Sequence, residues 1–206
     1  MINKFKRVFN LISNMGIRYL FFRVFYLIKT KLGWQKVSFP VKPENVESIS
    51  LEDWKRANHP FFFQGKDIKG LEKTISKKLE DKVKKINKGI LTYFNHLEVS
   101  IGENYDWLVN PLTGYKYNID KHWSEIEDLS NESGDIKYVW EKARFSFLYD
   151  LIRYDYNYKK DQSNIVFNEI ESFIDNNPIN QGPNYKCSQE ISLRVLNWTF
   201  ALFYYK

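Results

Sequence analysis

The strongest hydrophobic rhythm lies in the last third of the chain. From Asp135 to about Tyr158, Ile136, Trp140, Ala143, Phe147, Leu148, Leu151 and Ile152 recur at helical spacing, which predicts one long helix. Gly134 precedes it, and an acid stands in its first turn, where the helix dipole favours one. Ile165, Val166, Ile170, Phe173 and Ile174 predict a second helix over roughly Gln162 to Ile174. Asn176-Asn177-Pro178 breaks it, and Gln181-Gly182-Pro183-Asn184 continues the loop. A third helix runs from near Ser188 through Ile191, Val195, Leu196, Trp198, Ala201 and Leu202 to Lys206. Helices in sequence with short loops between them predict an α/α array, each hairpin burying its apolar face against the next pair. The last helix is aromatic and apolar, so it is expected to be covered by a further part of the protein or by a second chain.

The first two thirds are less regular. Between Lys4 and Leu32, Phe5, Val8, Phe9, Ile12, Leu20, Phe21, Val24, Phe25, Leu27 and Ile28 fit one or two amphipathic helices. Residues 33–66, punctuated by Gly33, Pro40, Pro43 and Pro60 and carrying Phe61-Phe62-Phe63, read as an irregular segment wrapping the body. Leu71, Ile75, Leu79, Val83 and Ile86 predict a solvated helix from Ile68, ended by Gly89. Residues 90–101 lack helical phase and read as a short strand or hairpin. The fold class is therefore mainly α, with a short β segment near 90–101. Its parts are an amino-terminal helical arm, residues 1–38, and a domain over 39–206.

Composition narrows what these elements can do. With 43% hydrophobic residues, the 206-residue chain can bury a core, and its 17% aromatic content suits either a large core or a cleft that stacks flat ligands. The net charge of +6 invites a nucleic-acid reading until it is placed along the chain. The first 43 residues hold nine Lys or Arg and no acid, leaving 22 basic against 25 acidic residues, so the body is net −3. No nucleic-acid partner is expected. The basic arm suits either packing on the domain with its cations solvated or contact with an anionic membrane surface. Arg18 and Arg23 interrupt any signal-peptide core or membrane span, so the chain reads as cytoplasmic. One cysteine, Cys187, rules out an internal disulfide, and His59, His96 and His122 lack metal-ligand spacing. No metal or other cofactor is expected.

Four clusters join polar and aromatic residues: Trp107 with Asn110 to Gly114; Gly134 to Lys137 with Trp140, Glu141 and Arg144; Asn177-Pro178 with Gly182 to Tyr185; and Gln189-Glu190 with Arg194, Asn197 and Trp198. Lys137, Trp140, Glu141 and Arg144 share one helix face, cationic with one acid and one ring. Glu190, Arg194, Asn197 and Trp198 repeat the arrangement. Two such faces could form a groove with bidentate donors for carboxylate or sulfate and rings on which a sugar stacks. The same spacings also suit ion pairs, Glu141 to Arg144 and Glu190 to Arg194, that hold helices together.

At these residues the chain resembles the amino-terminal part of the heparinase II/III-like polysaccharide lyases. The likeness runs from about Phe5 to Lys206 and is most specific in Gly134-Asp135-Ile136-Lys137, Trp140-Glu141 and Arg144, then in Gly182-Pro183-Asn184, Gln189-Glu190, Leu193-Arg194 and Asn197-Trp198. Tyr185 stands where the family usually has Trp. The resemblance implies an incomplete α/α toroid of antiparallel helical hairpins, and an acidic polysaccharide as partner. It also implies substrate-groove roles for Lys137, Trp140, Glu141, Arg144, Asn184, Tyr185, Glu190, Arg194 and Asn197. The family cleaves uronic-acid polymers by β-elimination, in which the carboxylate is neutralised and a Tyr or His base removes the neighbouring proton. Its Asn-Asn-His segment, its acid-base Tyr and His and its β-sheet domain all lie further on than Lys206, and no catalytic residue is assigned here. The expectation is a truncated lyase relative, inactive alone; the alternative is a non-catalytic module for acidic-glycan binding or assembly. Many full-length relatives are exported.

Overall fold

The structure, a computed structural model, describes residues 10, 12–43, 49–57, 61–62 and 70–205. It divides into two compact units, Met1–Pro43 and Glu44–Lys206. Of the positions singled out above, Phe5, Val8, Phe9, His59, Pro60, Phe63, Ile68 and Lys206 lie outside the described residues.

In the first unit, α1 (Ile17–Lys31) carries the predicted amphipathic pattern, with Lys29 and Lys31 in its last turn, where the dipole favours cations. Gly16 at φ 80° separates it from the helical residues 12–15. Gly33, left-handed at φ 75°, then turns the chain into a short helix, α2 (Trp34–Ser38).

The second unit is mainly α, with two two-stranded antiparallel sheets. The segment read as irregular contains a further short helix, α3 (Leu51–Arg56). Ser50 caps it by accepting the Asp53 N–H, and Glu52 and Asp53 occupy its first turn. Its Trp54 ring meets Phe203 edge-on, and Phe61 stacks on Phe203 at 4.1 Å between centroids, so this segment covers part of the last helix.

The helix expected from Ile68 begins only at Lys77 (α4, Lys77–Ile86), capped by Ser76. Leu71 and Ile75 are exposed. The backbone there is satisfied from far along the chain instead. Tyr156 donates to the Leu71 carbonyl, Asn157 accepts from the Thr74 N–H, and the Tyr158 hydroxyl accepts from the Ser76 N–H and donates to its carbonyl. The expected hairpin forms from β1 (Ile90–Tyr93) and β2 (Leu97–Ser100), with Tyr93 opposite Leu97 and a turn in which Phe94 and Asn95 are both left-handed. Gly89 does not stop α4, whose carboxyl-terminal cap is Asn87. It brings the hairpin's two ends together, since a Cβ there would lie 2.0 Å from the Gly102 carbonyl oxygen.

The long helix expected from Asp135 is not continuous. Gly134-Asp135 form β4, paired with β3 (Leu129–Ser130), and helix starts at α5 (Lys137–Ala143), stops, and resumes as α6 (Leu148–Tyr158). Phe145 makes the break. Its backbone is left-handed at φ 61°, and its ring is fully buried among Trp107, Phe147, Phe173 and Trp198, each 5.3 to 5.7 Å away. The ring contacts hold a conformation that a bulky residue otherwise avoids. α7 (Ser163–Asn176) and α8 (Ser188–Tyr204) follow close to the predicted bounds. Phe145, Leu148, Leu151, Val166, Phe173 and Ala201 form the centre of the core. A smaller cluster of Tyr117, Ile126, Ile136, Val139 and Trp140 packs beneath the loops.

Candidate functional site

The break between α5 and α6 leaves carbonyl oxygens at the end of α5 without helical partners. Two residues of α8, three apart and so on one face, take them up. Arg194 Nε donates to the Ala143 carbonyl at 2.8 Å, and Asn197 Nδ2 donates to the Arg144 carbonyl at 2.6 Å. The Arg194 guanidinium also donates through Nη2 to the Asn184 carbonyl at 2.8 Å and lies 4.2 Å from the Phe173 ring centroid. Burial lowers its pKa to about 10, so it keeps its charge at neutral pH. A guanidinium at a helix carboxyl end complements the dipole there.

Arg144 sits beside this cap, between two carboxylates. It holds Glu190 bidentately through Nε at 2.5 Å and Nη2 at 2.7 Å, and Glu141 through Nη1. These bonds, the one to Glu190 foremost, raise the pKa of Arg144 against the opposing effect of burial. The other oxygen of Glu141 accepts the Phe94 N–H at 3.0 Å and so ties the hairpin turn to α5. Both Glu side chains are 6% exposed, and that of Arg144 is 26% exposed. The face expected to be cationic therefore carries two carboxylates on one guanidinium, and the neighbouring Arg194 brings the four charges to zero. The expected Glu190 to Arg194 pair does not form, because Glu190 reaches across to Arg144 while Arg194 turns to the carbonyls.

The loop ahead of α8 is fastened to the same place. Trp140 Nε1 donates to the Pro183 carbonyl at 2.9 Å. Asn184, with no exposed surface, donates to the Trp107 carbonyl and to Asn177 Oδ1, and Tyr185 donates to the Asn177 carbonyl. Burial raises the Tyr185 pKa. Asn110 plays a similar part for the first cluster, donating to the Ser133 and Asp135 carbonyls and accepting the Leu112 N–H.

The nine residues expected to line a groove are thus gathered by the fold, but in unequal positions. Trp140, Glu141, Asn184, Glu190, Arg194 and Asn197 are buried, Arg144 and Tyr185 are partly buried, and Lys137 is exposed, 3.7 Å from Asp135. Asn184 and Arg194 have no surface on which to meet a ligand. A cavity of about 140 Å³ adjoins the cluster, lined by Glu141, Asp150, Lys82, Tyr93, Asn95 and Ser146 among others. Lys82 pairs with Asp150 at 2.7 Å there, and Glu141 is held by Arg144, so the acids lining this cavity are paired.

One buried group gave no signal in the sequence. Lys142 is 4% exposed and lies against the rings of Tyr105 and Trp107, its amine without a hydrogen-bond partner. Burial lowers its pKa to about 6, opposed by Glu169, whose own carboxyl is raised by burial and accepts the Tyr105 hydroxyl. The pattern hid it because a lysine between Glu141 and Ala143 reads as a surface residue. Among the described residues, no group of three or more His, Cys, Asp or Glu is placed to hold a metal ion. Nor is any described helix long and apolar enough to cross a membrane. Comparison with protein-family models, with curated proteins and with solved structures finds no match for the chain.

Proposed function

We propose that this chain is the helical front part of a heparinase II/III-like polysaccharide lyase. In this reading it belongs to an α/α toroid of antiparallel helical hairpins and forms one wall of a groove for uronic-acid polymers. The observation that carries the reading is that the two segments bearing the resemblance, 134–144 and 182–198, meet in one brace. Arg144 with Glu190, Arg194 with Ala143 and Asn184, Asn197 with Arg144, and Trp140 with Pro183 are its links. The motif residues mostly hold the wall in shape. Lys137, exposed on the first turn of α5 and 3.7 Å from Asp135, is the motif cation open enough to meet a carboxylate or sulfate. β-Elimination itself needs a carboxylate-neutralising group and a Tyr or His base, and this reading assigns neither to the chain.

Calorimetric titration with heparan sulfate, alginate and a neutral glucan tests the assignment. Saturable binding to a uronic polymer and none to the glucan is expected, weakened by Lys137→Ala; absence of binding to every uronic polymer overturns the substrate class. Ultraviolet absorbance should show no unsaturated product, and turnover by this chain would overturn the non-catalytic role.

An assembly role is the second reading. Val195 and Leu196 on α8 are exposed and, with Phe61, Phe62 and Ile191, line an apolar cleft, a face suited to a neighbouring helical pair of the toroid.

A further inference from the structure

The first unit carries an exposed apolar surface with cations along its edges and, in the last turn of α1 at Lys31, within it. At roughly 100° per residue, Ile17, Leu20, Phe21, Val24, Phe25 and Ile28 fall on one side of α1. Arg18 and Lys29 border that side on one edge and Arg23 approaches it on the other. Phe21 is 69% exposed, Phe25 54% and Ile28 49%, and no residue of α1 is buried. Beyond the left-handed Gly33, Trp34 on α2 is exposed too, and the Lys29 ammonium lies 4.6 Å from the Phe25 ring centroid and 5.2 Å from that of Trp34. The Lys29 ammonium thus sits against the edge of the apolar side, beside an indole of the kind that settles at lipid headgroups. The charge balance has one sign throughout: nine Lys or Arg and no acid in the first 43 residues.

We propose that α1 and α2 form a docking surface for an anionic lipid bilayer. α1 lies in the headgroup plane with Phe21, Phe25 and Ile28 turned into the acyl boundary and Arg18, Arg23 and Lys29 among the phosphates. A dissolved polyanion would be met by the cations alone. Large exposed aromatic and aliphatic side chains between those cations suit a partner with an apolar interior beneath its charge. The 15-residue α1 is about 22 Å long, shorter than the roughly 30 Å hydrocarbon core, and Arg18 and Arg23 stand within it, which fits a helix lying along the surface. This inference is separate from the glycan reading and stands on a different unit of the chain.

Sedimentation of the full chain with vesicles tests it, using phosphatidylcholine alone and phosphatidylcholine with about one-third phosphatidylserine. Binding is expected only to the anionic vesicles, and high salt should weaken it. Phe21→Ser with Phe25→Ser should lower the partition coefficient by about tenfold or more. Arg18→Gln with Lys29→Gln should lower it by about thirtyfold. These side chains are exposed, so circular dichroism of both variants should match the parent. Equal binding to both vesicle types, or binding unchanged in either double variant, overturns the proposal. So does binding to a soluble polyanion such as heparin or duplex DNA that competes fully with the vesicles and ignores the Phe21/Phe25 change.

Discussion

Removing the cation from the Glu141–Arg144–Glu190 cluster should destabilise the second unit by several times what an exposed charge deletion costs. Arg144→Met keeps most of the side-chain length but leaves two carboxylates, each 6% exposed, facing one another with no guanidinium between them. Breaking a buried pair by deleting one partner costs about 3–5 kcal/mol, because the remaining charge stays desolvated. Arg144 is itself 26% exposed, so water can relieve part of this, and the expected loss is about 2–4 kcal/mol. The bidentate geometry adds a graded control. Arg144→Lys retains the charge but not the fork that meets both Glu190 oxygens at 2.5 and 2.7 Å, and should lose about 1–2 kcal/mol. Lys137→Met, on the same helix but exposed, should change stability by less than about 0.5 kcal/mol. The assay is urea unfolding followed by far-ultraviolet circular dichroism, with the midpoint interpreted only where the slope is unchanged. Adding Glu141→Gln and Glu190→Gln to Arg144→Met should restore a large part of the loss, since neutral amides share the space without repulsion. A loss under about 0.5 kcal/mol for Arg144→Met, or no recovery in the triple variant, would refute the reasoning.

Three further outcomes follow from other parts of the second unit. Lys142→Met should raise stability by about 1–4 kcal/mol, most at or below about pH 6. Above that pH the folded parent has lost the Lys142 proton while the unfolded chain keeps it to about pH 10, so parent stability climbs over this window and the advantage of Met shrinks; a difference that does not vary with pH in urea titrations refutes it. Phe145→Ala should cost about 3–5 kcal/mol by emptying the centre of the ring cluster, and Phe145→Gly should be no worse than Ala, because glycine accepts φ 61°; thermal unfolding in which Gly is clearly the weaker variant contradicts the assigned backbone role. Gly89→Ala should cost about 2–4 kcal/mol through collision with the Gly102 carbonyl, whereas Gly102→Ala, at φ 76° with open space around it, should cost about 1–2 kcal/mol, a contrast that equal melting points would remove.

What could be read from the sequence was what depends on neighbours a few residues away. α7, α8 and the hairpin β1–β2 lie close to where periodicity and turn residues put them, since their apolar positions and breakers are local. α4 begins later than its apolar spacing predicts because the Leu71–Ser76 backbone is satisfied by Tyr156, Asn157 and Tyr158, some 80 residues away. The short helices α2 and α3 fall below the length at which periodicity can be seen. The break at Phe145 was invisible for a stronger reason. An aromatic residue continues a helical pattern as well as any, and only the four rings packed around it hold the left-handed backbone that ends α5.

That break also accounts for the site's departure from expectation. Once α5 stops at Ala143, its carbonyl ends sit beside the core and require donors from outside the helix. α8 supplies them at the spacing that one helix face allows, Arg194 for Ala143 and Asn197 for Arg144. With Arg194 committed to carbonyls, Glu190 one turn earlier has no cation of its own helix and reaches Arg144, which already holds Glu141. The Glu-Arg-Asn spacing read as a cationic grip is the spacing of a helix cap together with a shared ion cluster, in which the Glu141 and Glu190 carboxylates balance the Arg144 and Arg194 guanidiniums. The buried cations are thus already matched by carboxylates and turned inward, which leaves Lys137 at the start of α5 as the exposed cation of this motif. If Lys137→Ala and Arg144→Met weakened uronic-polymer binding equally at temperatures where both remain folded, this division between brace and grip would be wrong.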